Sequence, residues 1–471
     1  MGRAGGTEAG GTVTTGGGGG STRKRAGLTL VDQSFSSLSN FAVGVAVTRV
    51  AGAAGLGAFS FAYAGWQVLA AMHRSLVTDP MAIEGDVYNV EGDVTTEAVR
   101  RSIKDGLAAE LLLGLAGAVF FALMALILLA CGQRAFGMGV GAMAPWLPVL
   151  LAQDYWRWVG FMTRRPQCAL ANDTVFNVIQ GAAFAAVLLT HTRSIVVLIG
   201  SWGLGSLAGA LYGLRQHRVL PSLSGGMAML RDHWSVSKWL AGTSLSVSGG
   251  TQLTVFIVGA VLGPVGLGGL RAAQTLVVGP SGVLIMAGGS IGLPEATKGY
   301  TERGWKGLNT VARWVTFAGF CSFLAGAIAI VLFGRTLLSS IYGASFAHLE
   351  LAAVLMAIAY VVLSFNLGPI LVLKATRHTR ALFRIQLLSL VASLASLAAF
   401  SLTWGVDGAA AATIVTYAVS SGSSHWVQRR VRRTVGEAPA RVGPLLEEEL
   451  WWRSPVPEPA FGSELGQSSL R

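Results

Sequence analysis

This chain sets ionisable and amide side chains inside long apolar stretches, where such groups are costly unless paired or hydrated. The run Asp154-Tyr155-Trp156-Arg157 places a carboxylate and a guanidinium three residues apart, on one helix face. Counting about 1.5 Å per residue from Met162, Arg157 lies roughly 8 Å and Asp154 roughly 12 Å from the inner edge of its stretch. Three readings stay open: both line a hydrated cavity in which Arg157 meets an anionic head group, the two form a structural ion pair, or the arginine snorkels to the interface. Arg271 sits six residues into another apolar stretch, with no acid nearby in sequence and Gln274 one helical turn later. A guanidinium facing lipid is expensive, so an inward, wet position is the economical one, and its fork suits bidentate phosphate binding.

Weaker signals point to the same place. Asp32, Gln33, Ser36, Ser37, Ser39 and Asn40 make a polar inner half of the first apolar stretch, and Thr243, Ser244, Ser246, Ser248, Thr251 and Gln252 do the same for a later one. Matching polarity in two places suggests a central cleft; interhelical hydrogen bonds explain it equally well. Asn366 occupies the place of Asp154 when the chain is shifted by 212 residues. The candidate substrate-binding residues are therefore Arg271, Arg157, Asp154, Gln33, Asn40, Gln274 and Asn366. Arg49 reads as an interfacial anchor. Pro148, Pro280 and Pro369 interrupt apolar stretches; Pro280, after Gly279, reads as a true kink and the others as packing bends. Cys131, Cys168 and Cys321 are unclustered and read as buried small hydrophobes. The sequence has no metal-ligand cluster, nucleophile elbow or paired carboxylates, so no cofactor and no enzymatic activity is expected, and no catalytic residue is assigned.

The elements that must position these residues follow from composition. Hydrophobic residues make up 52% of the 471-residue chain and charged residues 12%, too few to cover a soluble core. The apolar segments approach twenty residues, the length of membrane-spanning helices rather than barrel strands. Twelve are predicted: 28–50, 55–72, 107–131, 139–162, 175–189 and 195–214, then 239–262, 265–293, 314–333, 351–373, 385–404 and 408–427. Gly52-Ala53-Ala54-Gly55-Leu56-Gly57 returns 211 positions later as Gly263-Pro264-Val265-Gly266-Leu267-Gly268, and Arg165, Ala169 and Leu170 return as Arg377, Ala381 and Leu382. Two tandem copies of a six-helix unit, related by a pseudo-twofold axis along the membrane normal, are the mark of a secondary transporter.

Cations orient the spans. Arg23, Lys24, Arg25, Arg74, Arg100, Arg101, Arg164, Arg165 and the run Arg429 to Arg433 fall on one side, whereas the opposite breaks hold only Arg49, Arg134, Arg193 and Arg335. The positive-inside rule places both termini in the cytoplasm, and topology rather than nucleic acid accounts for the net charge of +12. The expected organisation is a disordered cytoplasmic segment 1–26, a first bundle 27–218, a cytoplasmic linker 219–236, a second bundle 237–433 and a disordered tail 434–471. The loop from Arg74 to Asp105 is expected to carry a cytoplasmic surface helix beginning near Thr95.

Asp32-Gln33 followed by Ser37, Asn40 and Phe41, then Gly55-Leu56-Gly57, resembles the opening of O-antigen-type polysaccharide flippases of the multidrug/oligosaccharidyl-lipid/polysaccharide (MOP) transporter superfamily. Gln153-Asp154 with Arg157, then Arg165-Pro166 and Asp173, resembles the middle of their first half, and Arg271-Ala272-Ala273-Gln274 with Gly279-Pro280 their eighth helix. The resemblance implies a V-shaped cleft that opens alternately to each side and moves polyprenyl-diphosphate-linked oligosaccharide to the outer leaflet of the plasma membrane. Its implied partners are membrane lipid and the lipid-linked oligosaccharide; a coupling proton or sodium ion, with Asp154 as the candidate carrier, and glycan-synthesis enzymes are further candidates outside the resemblance. Drug/cation antiport and a non-transporting scaffold for glycan synthesis are the alternatives.

Overall fold

The computed structural model describes residues 18–83, 97–163, 165–190, 192, 194–290, 292–376 and 378–435; side chains are described from residue 41, apart from 83, 247, 279–291, 294, 379, 434 and 435. The described residues contain no strand. The helices are α1 (Gly18–His73), α2 (Asp79–Ile83), α3 (Glu97–Ala130), α4 (Arg134–Met143), α5 (Leu147–Met162), α6 (Pro166–Leu189), α7 (Ile195–His217), α8 (Leu223–Asp232), α9 (Trp234–Ser244), α10 (Gly250–Ser290), α11 (Gly292–Ile341), α12 (Glu350–Ala375) and α13 (Thr379–Val435).

Among the described residues, nine helical stretches are long and apolar enough to cross a membrane. Four of them break at a positive-φ glycine, Gly52, Gly263, Gly304 and Gly405 (φ 58° to 67°); Gly304 stands near the start of its stretch and leaves only a short arm before it, whereas the other three divide theirs into two passes each. Twelve passes result, as the hydropathy pattern predicts. The turns at Gly52 and Gly263 have nearly the same backbone (φ 67°, ψ −166° and φ 67°, ψ −174°). A side chain is strained in that conformation, so the sequence repeat marks a repeated hairpin.

The two hairpins pack on each other. A Cβ on Gly57 would strike the Pro264 carbonyl, and one on Gly268 would strike the Ala53 carbonyl. Each pair maps onto the other under the 211-residue shift, which is what a twofold axis through this contact demands. On the side assigned outside by the arginines, Arg49 donates from Nε to the Ile341 carbonyl (2.7 Å) and from Nη2 to the Ser340 carbonyl. The residue read as an interfacial anchor thus ties α1 of one half to the end of α11 in the other. Toward the opposite side, the Ser75 hydroxyl meets that of Ser244, and Ser237 Oγ donates to the Leu76 carbonyl (3.4 Å).

Several local expectations change. The second span does not end at Met72; it runs on through a π-helical turn, Arg74–Thr78, into α2. The expected surface helix near Thr95 is instead the start of α3, which is continuous from Glu97 to Ala130. The linker contains α8. Pro148 stands at the start of α5, after a 3-10 turn Ala144–Trp146 that breaks the fourth span. Pro369 lies within α12, and Pro280 falls outside the described side chains. Cys131, in the turn that follows α3, and Cys321, within α11, are exposed rather than buried.

Candidate functional site

Helix α5 is oriented by its two aromatics. Tyr155 and Trp156 are fully buried; Tyr155 donates to the Ile103 carbonyl (2.8 Å), and Trp156 stacks on His217 with ring centroids 5.0 Å apart. With that face committed to the core, Asp154 and Arg157, which share another face, line a cavity of about 190 Å³ together with Arg74, Gln153 and Asp173.

Asp154 and Arg157 each have a partner on another helix. Asp154 Oδ2 accepts from His73 Nε2 (3.1 Å), and the other ring nitrogen, Nδ1, lies 2.6 Å from Glu110 Oε2, as an ion contact rather than an aligned hydrogen bond. His73 and Glu110 are sealed from solvent, while Asp154 keeps 15% of its side chain exposed to the cavity. Arg157 pairs with Asp173 (Nε to Oδ2, 3.2 Å), whose other oxygen accepts from Gln153 Nε2 (2.9 Å). A mutual pair is thus not the whole account, because each residue also meets a partner on a neighbouring helix, His73 on α1 and Asp173 on α6. Buried charges take the partner that satisfies them most fully, whatever its separation in sequence.

Sequence chemistry does not single out His73, Glu110 and Asp173 as site residues. A signal exists for Glu110, an acid four residues into a predicted span. For Asp173 the visible signals are its place in the resemblance after Arg165-Pro166 and the sequon Asn172-Asp173-Thr174.

Arg271 lines a second cavity, of about 340 Å³, between the halves. Its walls are apolar and aromatic, including Phe59, Trp202 and Tyr360, and Arg271 is the one charged residue among its lining residues. Nη1 donates to Gln274 Oε1 (2.8 Å), and Gln274 Nε2 lies 3.4 Å from the Tyr360 hydroxyl, so the guanidinium is held by a neutral amide with no carboxylate in contact. This cavity shares Tyr63, Phe176 and Trp202 with the one at Arg157, and shares Arg271 and Gln274 with a third space of about 250 Å³ inside the second bundle. That third space is lined by hydroxyls and amides such as Thr251, Gln252 and Gln386. The three spaces adjoin one another in series, from Arg157 past Tyr63 to Arg271 and Gln252, along one cleft line between and into the bundles.

Among the expected site residues, Arg271, Gln274, Arg157 and Asp154 meet along this cleft. Gln33 and Asn40 lie on α1 outside the described side chains. Asn366 does not reach the cleft. It is buried in the second bundle, where Nδ2 donates to Ser420 Oγ (2.7 Å) on α13. The repeat keeps the backbone position of Asp154, but α13 packs over the face that would have met a cavity. No group of three or more potential metal-ligating side chains occurs among the described residues.

No protein-family model and no curated protein matches the sequence. Solved structures do. A multidrug resistance MATE family transporter of the MOP superfamily, in its inward-facing conformation, aligns with TM-score 0.65 at 14% identity over 85% of this chain and 96% of its own. The lipid II flippase MurJ, inward closed, aligns with TM-score 0.66 at 11% identity over 85% of this chain and 87% of its own. A MOP superfamily transporter from Pyrococcus furiosus, described as having a binding pocket of reversed polarity, aligns with TM-score 0.56 at 13% identity over 85% and 95%. At such identities the likeness concerns architecture, and the chain has the fold of the MOP transporters: twelve helices in two bundles about a pseudo-twofold axis.

Proposed function

We propose that this protein is a plasma-membrane flippase that moves a polyprenyl-diphosphate-linked oligosaccharide from the inner to the outer leaflet by alternating access, with both termini cytoplasmic. One observation carries this reading: among the described residues, the cavity between the halves has a single charged lining residue, and it is cationic. A guanidinium held by an amide keeps its charge available, so the cavity attracts an anion and disfavours a cation. Arg271 takes the diphosphate, Gln274 orients its fork, and the aromatic walls exclude water. The hydroxyl and amide space behind Gln274 suits sugar, and Arg157 with Asp154 shapes the far end of the cleft. Access alternates when the contacts at Arg49 and at Ser75 break in turn.

The test is a flipping assay in proteoliposomes with a fluorescent polyprenyl-diphosphate oligosaccharide. Transport by the native protein and its loss in Arg271→Ala support the reading; no transport of that probe by a folded native protein overturns it. Drug/cation antiport is the second reading, favoured by Asp154 at one end of the cleft, backed by the sealed Glu110 through His73, and by the MATE-like architecture. Efflux of a cationic dye that depends on Asp154 and ignores Arg271 establishes that alternative instead. Coupling to a proton or sodium gradient through Asp154, and contact with glycan-synthesis enzymes, belong to the same proposal; an imposed gradient in the flipping assay checks the first.

A further inference from the structure

A fourth cavity, of about 400 Å³, lies away from the cleft and shares no lining residue with the three spaces along it. It is a groove between α11, α12 and α13, near the end of the bundle that carries Arg429 to Arg433. Its floor exists because α11 and α12 touch: the Gly368 N–H donates to Thr316 Oγ1 (3.1 Å), and a Cβ at Gly368 would meet the Ala312 carbonyl at 2.7 Å. Next along the helix, Pro369 removes a backbone donor from α12, which opens the surface beside that contact.

The groove is divided chemically. At one end stand Arg313 from α11 and His425, Arg429 and Arg432 from α13, and no acid is among the lining residues. At the other stand Phe317, Phe320 and Phe365, with Phe317 67% and Phe365 43% exposed on the outer surface of the bundle. Phe320 and Phe365 pack with centroids 5.4 Å apart. Arg313 begins its membrane pass and Arg429 ends another, so the cationic end sits at head-group depth and the aromatic end runs toward the hydrocarbon. A soluble anion uses only the first half of such a groove. An amphiphile with an anionic head uses both.

We propose that this groove is a binding site for an anionic phospholipid of the inner leaflet, its phosphate between Arg313 and Arg429 and an acyl chain along Phe317 and Phe365. Basic pockets between membrane helices on the cytoplasmic side recognise anionic head groups by this combination of charge and depth. The lipid is a resident ligand of the second bundle and is distinct from cargo, since the groove does not meet the cleft. This inference stands whether or not the flippase reading does.

The experiment is native mass spectrometry of the purified full-length protein, titrated with phosphatidylglycerol or with phosphatidylcholine of the same chains. The expected result is retention of phosphatidylglycerol with roughly tenfold or greater preference, lost in Arg313→Gln/Arg429→Gln and kept in Arg313→Lys/Arg429→Lys. Arg157→Gln/Arg271→Gln should leave it unchanged. If the double glutamine variant does not survive purification, Phe317→Ser, at an exposed position, carries the test through weakened retention. Equal retention of both lipids overturns the proposal. So does loss of phosphatidylglycerol only on changing Arg157 and Arg271, which would put the lipid in the cleft. Inorganic phosphate that competes with equal dependence on Arg313 and Arg429 overturns it as well, by making the groove a soluble-anion site.

Discussion

The two halves share a glycine hairpin and differ in how they treat charge. In the first bundle the cleft-lining Asp154 is answered by His73, which also meets Glu110, and Arg157 is answered by Asp173. In the second, Arg271 faces the same cleft with an amide and an aromatic hydroxyl for company. The hairpins at Gly52 and Gly263 match, while one wall of the cleft holds paired charges and the other a guanidinium held by a neutral amide. A charge neutralised by the protein contributes to folding, whereas one left for cargo contributes to binding. The contrast therefore assigns different work to residues that sequence reading treats alike.

Changing each wall should separate these roles. The largest effect is expected from Arg271→Ala, which removes a charge-assisted contact of about 1.5–3 kcal/mol and should lower flipping by roughly 10- to 100-fold. Its thermal stability in detergent should stay within about 0.5 kcal/mol of the native protein, since Gln274, the partner that loses a bond, is only partly buried and lines the cavity. Transport at the native rate would break the comparison at its stronger side.

His73→Ala should do the reverse. It leaves Glu110 and Asp154 without their shared partner, at a cost of about 3–5 kcal/mol, read as a large fall in melting temperature and in the yield of folded protein. A variant that folds normally and loses only transport would show that the first bundle's cluster also serves the cargo or its coupling ion.

The twofold contact offers a sharper, symmetric test. Gly57→Ala and Gly268→Ala each push a methyl group into a carbonyl of the opposite half, and each should cost about 1–3 kcal/mol as overpacking. Similar losses are expected from both, because the contacts are images of one another. A strongly unequal pair of melting temperatures would mean that the halves do not meet about the axis described. Smallest of all, Asn366→Ala should cost about 1 kcal/mol of stability from a lost interhelical hydrogen bond and leave flipping unchanged, since its partner is Ser420 and it stands apart from the cleft.

Much of the architecture is legible in the amino-acid sequence. The number of spans follows from runs of apolar side chains, the hairpins from the glycine repeat, and the inward place of Arg271 from the cost of a guanidinium in lipid. These are properties of short segments, judged against a solvent whose demands are known. Pairing is not legible in the same way. Asp154 points toward Arg157 in the sequence because three residues on a helix share a face, yet its partner lies 81 positions earlier in the chain. Asn366 copies the position of Asp154 and still ends in a helix interface, because α13 covers it.

Sequence alone thus determined a duplicated, twelve-pass helical body and the presence of costly polar groups within it. Tertiary structure decided which of those groups answer one another and which are left to face a cavity. The physical reason is range. Burial in a bilayer is tested residue by residue along a helix, while neutralising a charge depends on whichever helix packs alongside, and that choice is made only when the bundle closes.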